Sequence, residues 1–394
     1  MSNNWNILNF GNLIILEYGN TLTEENRSGG DYPVYGSNGI IGFHKAYLLD
    51  SPNIIVGRKG SVGEVVWANK NCWAIDTTYY VTLKQDNSLR FIYWLLKSFD
   101  LRKLDSSTGV PGLNRNDVYR IKCNLPSLPE QEKIAEILDT MDEAIAKTEE
   151  CIAKLKKIKA GLVHDLLTRG IDENGELRDP VRHPEQFKQS AIGLIPKEWD
   201  IKELSQLATV DRGKFTHRPR NDPNFYGGQY PFIQTGDIAQ NLGQVIRSYT
   251  QTLNENGAKV SREFPVGTIA VTIAANIADT AILGIPMFFP DSIVGVTVFP
   301  QFNHRLVELC IRFAKHKLDA KATQSAQKNI NLEDLRPLLI PFPRNPKEQD
   351  RMSSVYEKFD ERLKKEEAYL EKLKLHKKGL MHDLLTGKVR VNHL

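Results

Sequence analysis

Two short stretches place a histidine beside an aspartate: His164-Asp165 in GLVHDLLTR (161–169) and His382-Asp383 in GLMHDLLTG (379–387). Such a pair offers a general base or part of a metal site. Adjacent helix positions project about 100° apart, so the two side chains do not converge on one ion unaided. Both histidines also fall in what reads as a last helical turn, where a partly cationic ring suits the helix dipole. The other chemical stretches are incomplete. GRKGSVG (57–63) lacks the Lys-Ser/Thr of a phosphate-binding loop. NDPNFY (221–226) has one proline where an amino-methyltransferase loop needs two in a row. PDSIVG and IDENGELRDP carry acids without the ordered lysine of a nuclease, and the second reads as a surface linker. The expectation is a chain with no catalytic residue and no metal site.

What remains is binding chemistry. The most basic run is Arg212-Gly213-Lys214-Phe215-Thr216-His217-Arg218-Pro219-Arg220; a second loop carries Arg58 and Lys59, and a third Asn276. Arg and Lys suit phosphates and guanine edges, and Asn and Gln pair with adenine. The net charge of +4 permits a nucleic-acid partner without demanding one. With 41% hydrophobic and 25% charged residues over 394 positions, the composition is that of a soluble two-domain protein. MSNNWNILNF lacks the form of a signal peptide, and prolines break the most apolar stretch, so no membrane span is expected. Four scattered cysteines, Cys72, Cys123, Cys151 and Cys310, suit a reducing cytoplasm better than a disulfide framework.

The elements that must position these loops are duplicated. A shift of 218 residues lays Glu130-Gln131 on Glu348-Gln349, Leu155 on Leu373 and His164 on His382. WNILNFGNLIILEYG matches WDIKELSQLATVDRG through Trp5/Trp199, Ile7/Ile201, Leu13/Leu207 and Gly19/Gly213, and LNRNDV resembles INLEDL. The strand candidates correspond between copies, yet GRKG stands where the second copy has Ala274-Ala275-Asn276, and the basic run after Gly213 has no counterpart after Gly19.

The segment closing each copy reads as a long helix. Ser127-Leu128-Pro129-Glu130 and Asn345-Pro346-Lys347-Glu348 have the form of N-terminal capping devices. Heptad stripes follow, through Leu138, Ile145, Ile152 and Leu155, and again through Leu363, Leu370 and Leu373. Both are interrupted at matching positions, by Thr148/Glu366 and by Lys159/Lys377. A helix of about 40 residues is roughly 60 Å long and cannot bury such a stripe alone. The two are expected to pack as an antiparallel coiled coil with Thr148 facing Glu366, holding two similar domains apart like a ruler.

The order domain–helix–domain–helix, the PEQ helix start and the HDLL ends resemble the specificity subunit of type I restriction–modification enzymes. So do YPVYGSNGIIG, GRKGSVGEVVW, IDTTYYV, PFIQTGDI and QKNINLEDL. The likeness runs over essentially the whole chain. It implies an α+β fold in which two α/β target recognition domains are separated by two long helices, with a pseudo-two-fold internal repeat. The expected divisions are 1–127 and 190–344 for recognition, 128–169 and 345–394 for the spacer helices and tail, and 170–189 for a linker. The implied partners are double-stranded DNA, two methyltransferase subunits docked on the spacer, and restriction/translocase subunits. S-adenosylmethionine, ATP and Mg would belong to those partners. On the matching loops the candidate DNA contacts are Tyr35, Ser37, Asn38, Arg58, Lys59, Lys214, Thr216, His217, Arg218, Arg220, Gln234, Thr235, Asn276 and Lys328. One departure is RNPKEQDRMSS, more polar than its partner helix start. A coiled-coil scaffold without DNA, and a self-sufficient DNA methyltransferase or nuclease, are the competing readings.

Overall fold

NIIVG (53–57) and GTIAVTI (267–273) are β-branched runs bounded by turn residues, and both become central strands. The computed structural model describes residues 5–104, 112–218, 220–274, 276–323 and 329–391. Two compact units emerge: 1–152 with 366–394, and 153–365. Each unit therefore takes half of each long helix, a division that cuts across the domain limits expected from sequence.

In the first unit the main sheet is antiparallel, in the order Ile14–Tyr18, Thr78–Leu83, Asn53–Gly57, Val65–Ala68. Both faces of Asn53–Gly57 are covered. Ile54 and Val56 meet the core built on Phe91, Trp94 and Leu95, while Ile55 meets Tyr35, Cys72 and Ala74. That is why the strand reads as a continuous apolar run rather than an alternation. The helix Leu89–Ser98 supplies the first core and is capped by the Ser88 hydroxyl, which accepts from the Phe91 N–H. A smaller sheet runs Gly39–His44, Tyr32–Gly36, Trp73–Ala74.

The second unit repeats this plan. Ala208–Arg212, Ile293–Val298, Ile269–Thr272 and Thr280–Leu283 take the same order, with Val245–Ile246 added in parallel at the edge. Its helix His304–Phe313 is capped by Asn303. Its smaller sheet, Gln251–Leu253, Tyr226–Phe232, Met287–Phe288, Glu263–Phe264, has one strand more than its counterpart.

The long helices span Leu128–Thr168 and Pro346–Leu385. Within each unit their halves run antiparallel. In the first unit Lys377 pairs with Asp142, and Lys374 with Glu149 at 3.0 Å. In the second unit Lys159 pairs with Asp360. The shift that superposes the copies carries Asp142 to Asp360 and Lys159 to Lys377, so one ion pair occurs twice with its helices exchanged. The lysines that interrupt the heptads are thereby explained.

Of the stripe residues, Leu138, Ile145, Ile152, Leu155, Leu363 and Leu373 are buried, and Leu370 is half-buried. Thr148 and Glu366 interrupt the stripes at matching positions. Both are half-buried, and the Thr148 hydroxyl donates to the Ala144 carbonyl of its own helix at 2.8 Å. The interval 170–189 is also more than a tether, since Ile171 and Phe187 are buried and Phe187–Ser190 pairs with Gly193–Pro196. Among the described residues no helix is long and apolar enough to cross a membrane.

Candidate nucleic-acid interface

In the first unit several predicted loop residues converge at one end of the main sheet. The Ser37-Asn38 turn joins Tyr32–Gly36 to Gly39–His44 and lies on the loop that follows Gly57. The Ser61 N–H donates to Ser37 Oγ at 3.4 Å. A side chain at Gly57 would stand 2.2 Å from the Ser61 carbonyl oxygen, so only glycine admits this close packing. Leu113 N–H donates to the Arg58 carbonyl at 2.8 Å and Lys59 bridges to Gly112, tying the loop down from the other side.

Above this base the Arg58 guanidinium lies 4.9 Å from the centre of the Tyr18 ring, and Arg115 lies 5.1 Å from the same ring. Both cations are held against one aromatic ring, and Arg115 is fixed further by donating to the Leu16 carbonyl at 3.3 Å. Beneath Tyr18 sits Tyr79, whose hydroxyl donates to the Leu113 carbonyl and is pushed up to about 12, first by burial. Tyr18 and Arg115 were not among the predicted contacts. Arg115 lay within the repeated LNRNDV motif, which marked it as scaffold. Tyr35, at 4% exposure, packs its ring in the core beside Ile55 and Cys72. Lys59 and Asn38 are exposed, and Ser37 is half-buried.

The basic run of the second unit is organised around Asp291. Arg218 Nη2 approaches its carboxylate at 3.4 Å, Arg220 forms an ion pair with it, and Arg212 donates to its backbone carbonyl at 2.7 Å. Arg218 also donates to the carbonyls of Phe215 and His217. His217 is stacked on Phe225 at 3.9 Å and bonded to Asp222 at 2.9 Å. The Asn224 N–H, and then His217, hold the Asp222 carboxyl below its usual value. The cationic loop is braced, with two guanidinium groups on the Asp291 carboxylate and a third on its backbone carbonyl. Lys214 and Thr216 are exposed beside it.

Adjoining this loop is a cleft of about 590 Å³ that includes Arg220, Tyr226, Phe232, Gln234 and Gln251. Gln234 donates to Gln251 at 3.0 Å, which orients both amides, and Thr235 opens the helix Thr235–Gln240 behind them. Asn276 is exposed on the loop after Ile269–Thr272. Ile273 N–H donates to the Ser292 carbonyl, so this loop and the Asp291 segment share one end of the sheet. Lys328 lies outside the described residues.

The repeated Glu-Gln and HDLL motifs do a different job. Glu130 accepts from Trp5 Nε1 at 3.0 Å and from Arg390 at 2.8 and 2.9 Å, and Arg390 holds its carboxyl below the ordinary range. Glu348 likewise accepts from Trp199 Nε1 at 3.1 Å and from Arg178 at 2.5 and 3.2 Å. Gln131 accepts from the Ser88 N–H and donates to the Pro126 carbonyl; Gln349 does the same with Asn303 and Pro343. The left-handed Gly387 and Gly170 close the helix ends against Trp5 and Trp199. Leu166, Leu167, Leu384 and Leu385 are buried in the domain cores, whereas His164 and His382 are exposed. His164 Nδ1 stands 3.6 Å from Asp165, nearer than the helical angle alone suggests. These motifs clamp each domain onto the helix pair.

The family model described as "Type I restriction modification DNA specificity domain" matches residues 3–157 and 196–375. The chain is 26% identical over 375 residues to the type I restriction enzyme MjaVIII specificity subunit of Methanocaldococcus jannaschii, covering 89% of this chain and 82% of that one. It is 24% identical over 307 residues to the putative MjaX specificity subunit of the same organism, covering 76% and 68%. The S subunit of a type I restriction–modification system from M. genitalium superposes with a TM-score of 0.63 at 17% identity, over 98% of this chain and 96% of that one, a likeness of fold.

Proposed function

The chain belongs to the type I restriction–modification DNA specificity family, a non-catalytic specificity subunit, and we propose that each of its units reads one half of an asymmetric, two-part DNA target. The observation that carries this reading is a shared scaffold bearing unlike loop chemistry. One sheet end presents Arg58 and Arg115 on Tyr18. The other presents arginines braced on Asp291 beside the Gln234–Gln251 amides. Planar guanidinium and amide edges can read guanine and adenine bidentately, while Lys59 and Lys214 grip phosphates. Competing roles as a DNA-free scaffold or a self-sufficient enzyme give way to this one.

Partners in the complex are duplex DNA and the modification and restriction subunits. In the finer reading, two methyltransferase subunits dock along the long helices of one chain and restriction/translocase subunits join that core in the cytoplasm. S-adenosylmethionine, ATP and Mg serve those subunits, and the target adenine is flipped into the methyltransferase.

The test is to exchange residues 1–127 for those of another such chain and sequence the methylated adenines of the host genome. One half of the motif should change while the other stays. A motif that changes in both halves, or in neither, defeats the reading.

A further inference from the structure

The two units treat one equivalent groove differently. In the second unit it lies between the end of the first long helix, the helix His304–Phe313 and the strand Leu339–Pro343. There the chain's own hairpin fills it: Ile192 packs on the core, Ile195 is buried in it, and about 80 Å³ remains. In the first unit the same place, between the end of the second long helix, Leu89–Ser98 and Lys122–Leu125, is a groove of about 770 Å³. No segment of the described residues covers it. Its floor is apolar, with Phe99 and Met381, and Ile7 at its edge is 68% exposed.

The rim differs as well. Lys122 stands where the second unit has Leu339, and Lys378 where it has Ala160. Lys97, Lys122 and Lys378 are exposed and make no ion pair among the described residues, whereas Lys374 and Lys377 are neutralised by Glu149 and Asp142. An apolar floor with an unneutralised cationic rim is complementary to a peptide with apolar side chains flanked by carboxylates. A phosphate backbone would leave the floor uncovered.

We propose that this groove receives an acidic, apolar-tipped segment of a partner subunit, in the manner in which residues 187–196 fill its counterpart. The inference rests on the reading of the chain as one subunit of a type I complex. It goes beyond that reading in making the two units unequal: one groove is filled by the chain itself and the other from outside.

The test uses the full chain, the purified modification subunit of the same complex and a target duplex. Lys122→Glu with Lys378→Glu should weaken binding of the modification subunit about tenfold, mainly through slower association at low salt, because rim charges act on encounter. Affinity of the free chain for the duplex should not move. Ile7→Asp, a change at an exposed position, should weaken subunit binding in the same way. Unchanged subunit affinity in both variants overturns the proposal, as does a loss confined to duplex affinity. A wild-type chain that fails to bind the modification subunit overturns the proposed function and this inference with it.

Discussion

Asp360 on the second long helix holds Lys159 of the first in an ion pair whose side chains are 11% and 19% exposed. Burial acts to raise the Asp360 carboxyl, and the Lys159 and Lys364 ammonium groups outweigh it, so the group titrates below the ordinary carboxylate range. A depressed folded value means that the pair's contribution is present above about pH 4 and is lost as pH falls through the folded value. Asp360→Ala leaves Lys159 without its carboxylate and should cost about 2 kcal/mol at neutral pH. Denaturant melts of wild type and variant should converge on acidification. A difference that persists undiminished at pH 2 refutes this account.

Removal of the Glu clamps should show a rank order. Arg178 against Glu348 is 10% exposed, and Arg390 against Glu130 is 28% exposed. Glu348→Ala should therefore destabilise by about 3 kcal/mol and Glu130→Ala by about half as much, since the better-solvated arginine tolerates the loss. Urea unfolding of the two variants decides the order, and its reversal would be fatal to the argument.

Arg58→Ala should weaken duplex binding by about 1–3 kcal/mol and flatten the salt dependence by about one charge if the group meets a phosphate. Tyr35→Phe should have the smaller effect, because at 4% exposure the residue packs largely within the core. Fluorescence anisotropy over a salt series separates the two; sensitivity at Tyr35 with none at Arg58 would invert this part of the site.

Asp291→Asn removes the carboxylate on which Arg218 and Arg220 are braced. Non-specific affinity for DNA should rise with a steeper salt slope, and discrimination at one half of the target should fall. Binding to matched and mismatched duplexes measures both. Undiminished discrimination would mean that the bracing has no part in reading.

The scaffold was legible because duplication writes it twice. Matching heptads, Trp5 and Trp199, and the Glu-Gln helix starts all recur at constant shifts. The recognition surface was legible in composition but not in geometry. Arg218 and Arg220 announced charge, yet their carboxylate lies more than seventy residues away at Asp291, a distance no local pattern spans. The burial of Tyr35 was hidden for a related reason: an aromatic in a turn-flanked strand looks exposed until neighbouring strands cover it. Asp142 and Asp360 carried a usable signal, since they coincide under the same shift as the lysines they hold.

The joint between domain and helix is built on the same core of contacts in both units. Gln131 and Gln349 engage a backbone N–H and a backbone carbonyl, and Glu130 and Glu348 engage a tryptophan at the start of a strand. A foreign domain would have to bring that tryptophan and also partners for the helix such as Arg90 and Trp94, which hold Asp139 in the first unit. A crossover within the gene segments that encode these repeated helices would therefore deliver an intact reader together with the helix half that carries its own contacts.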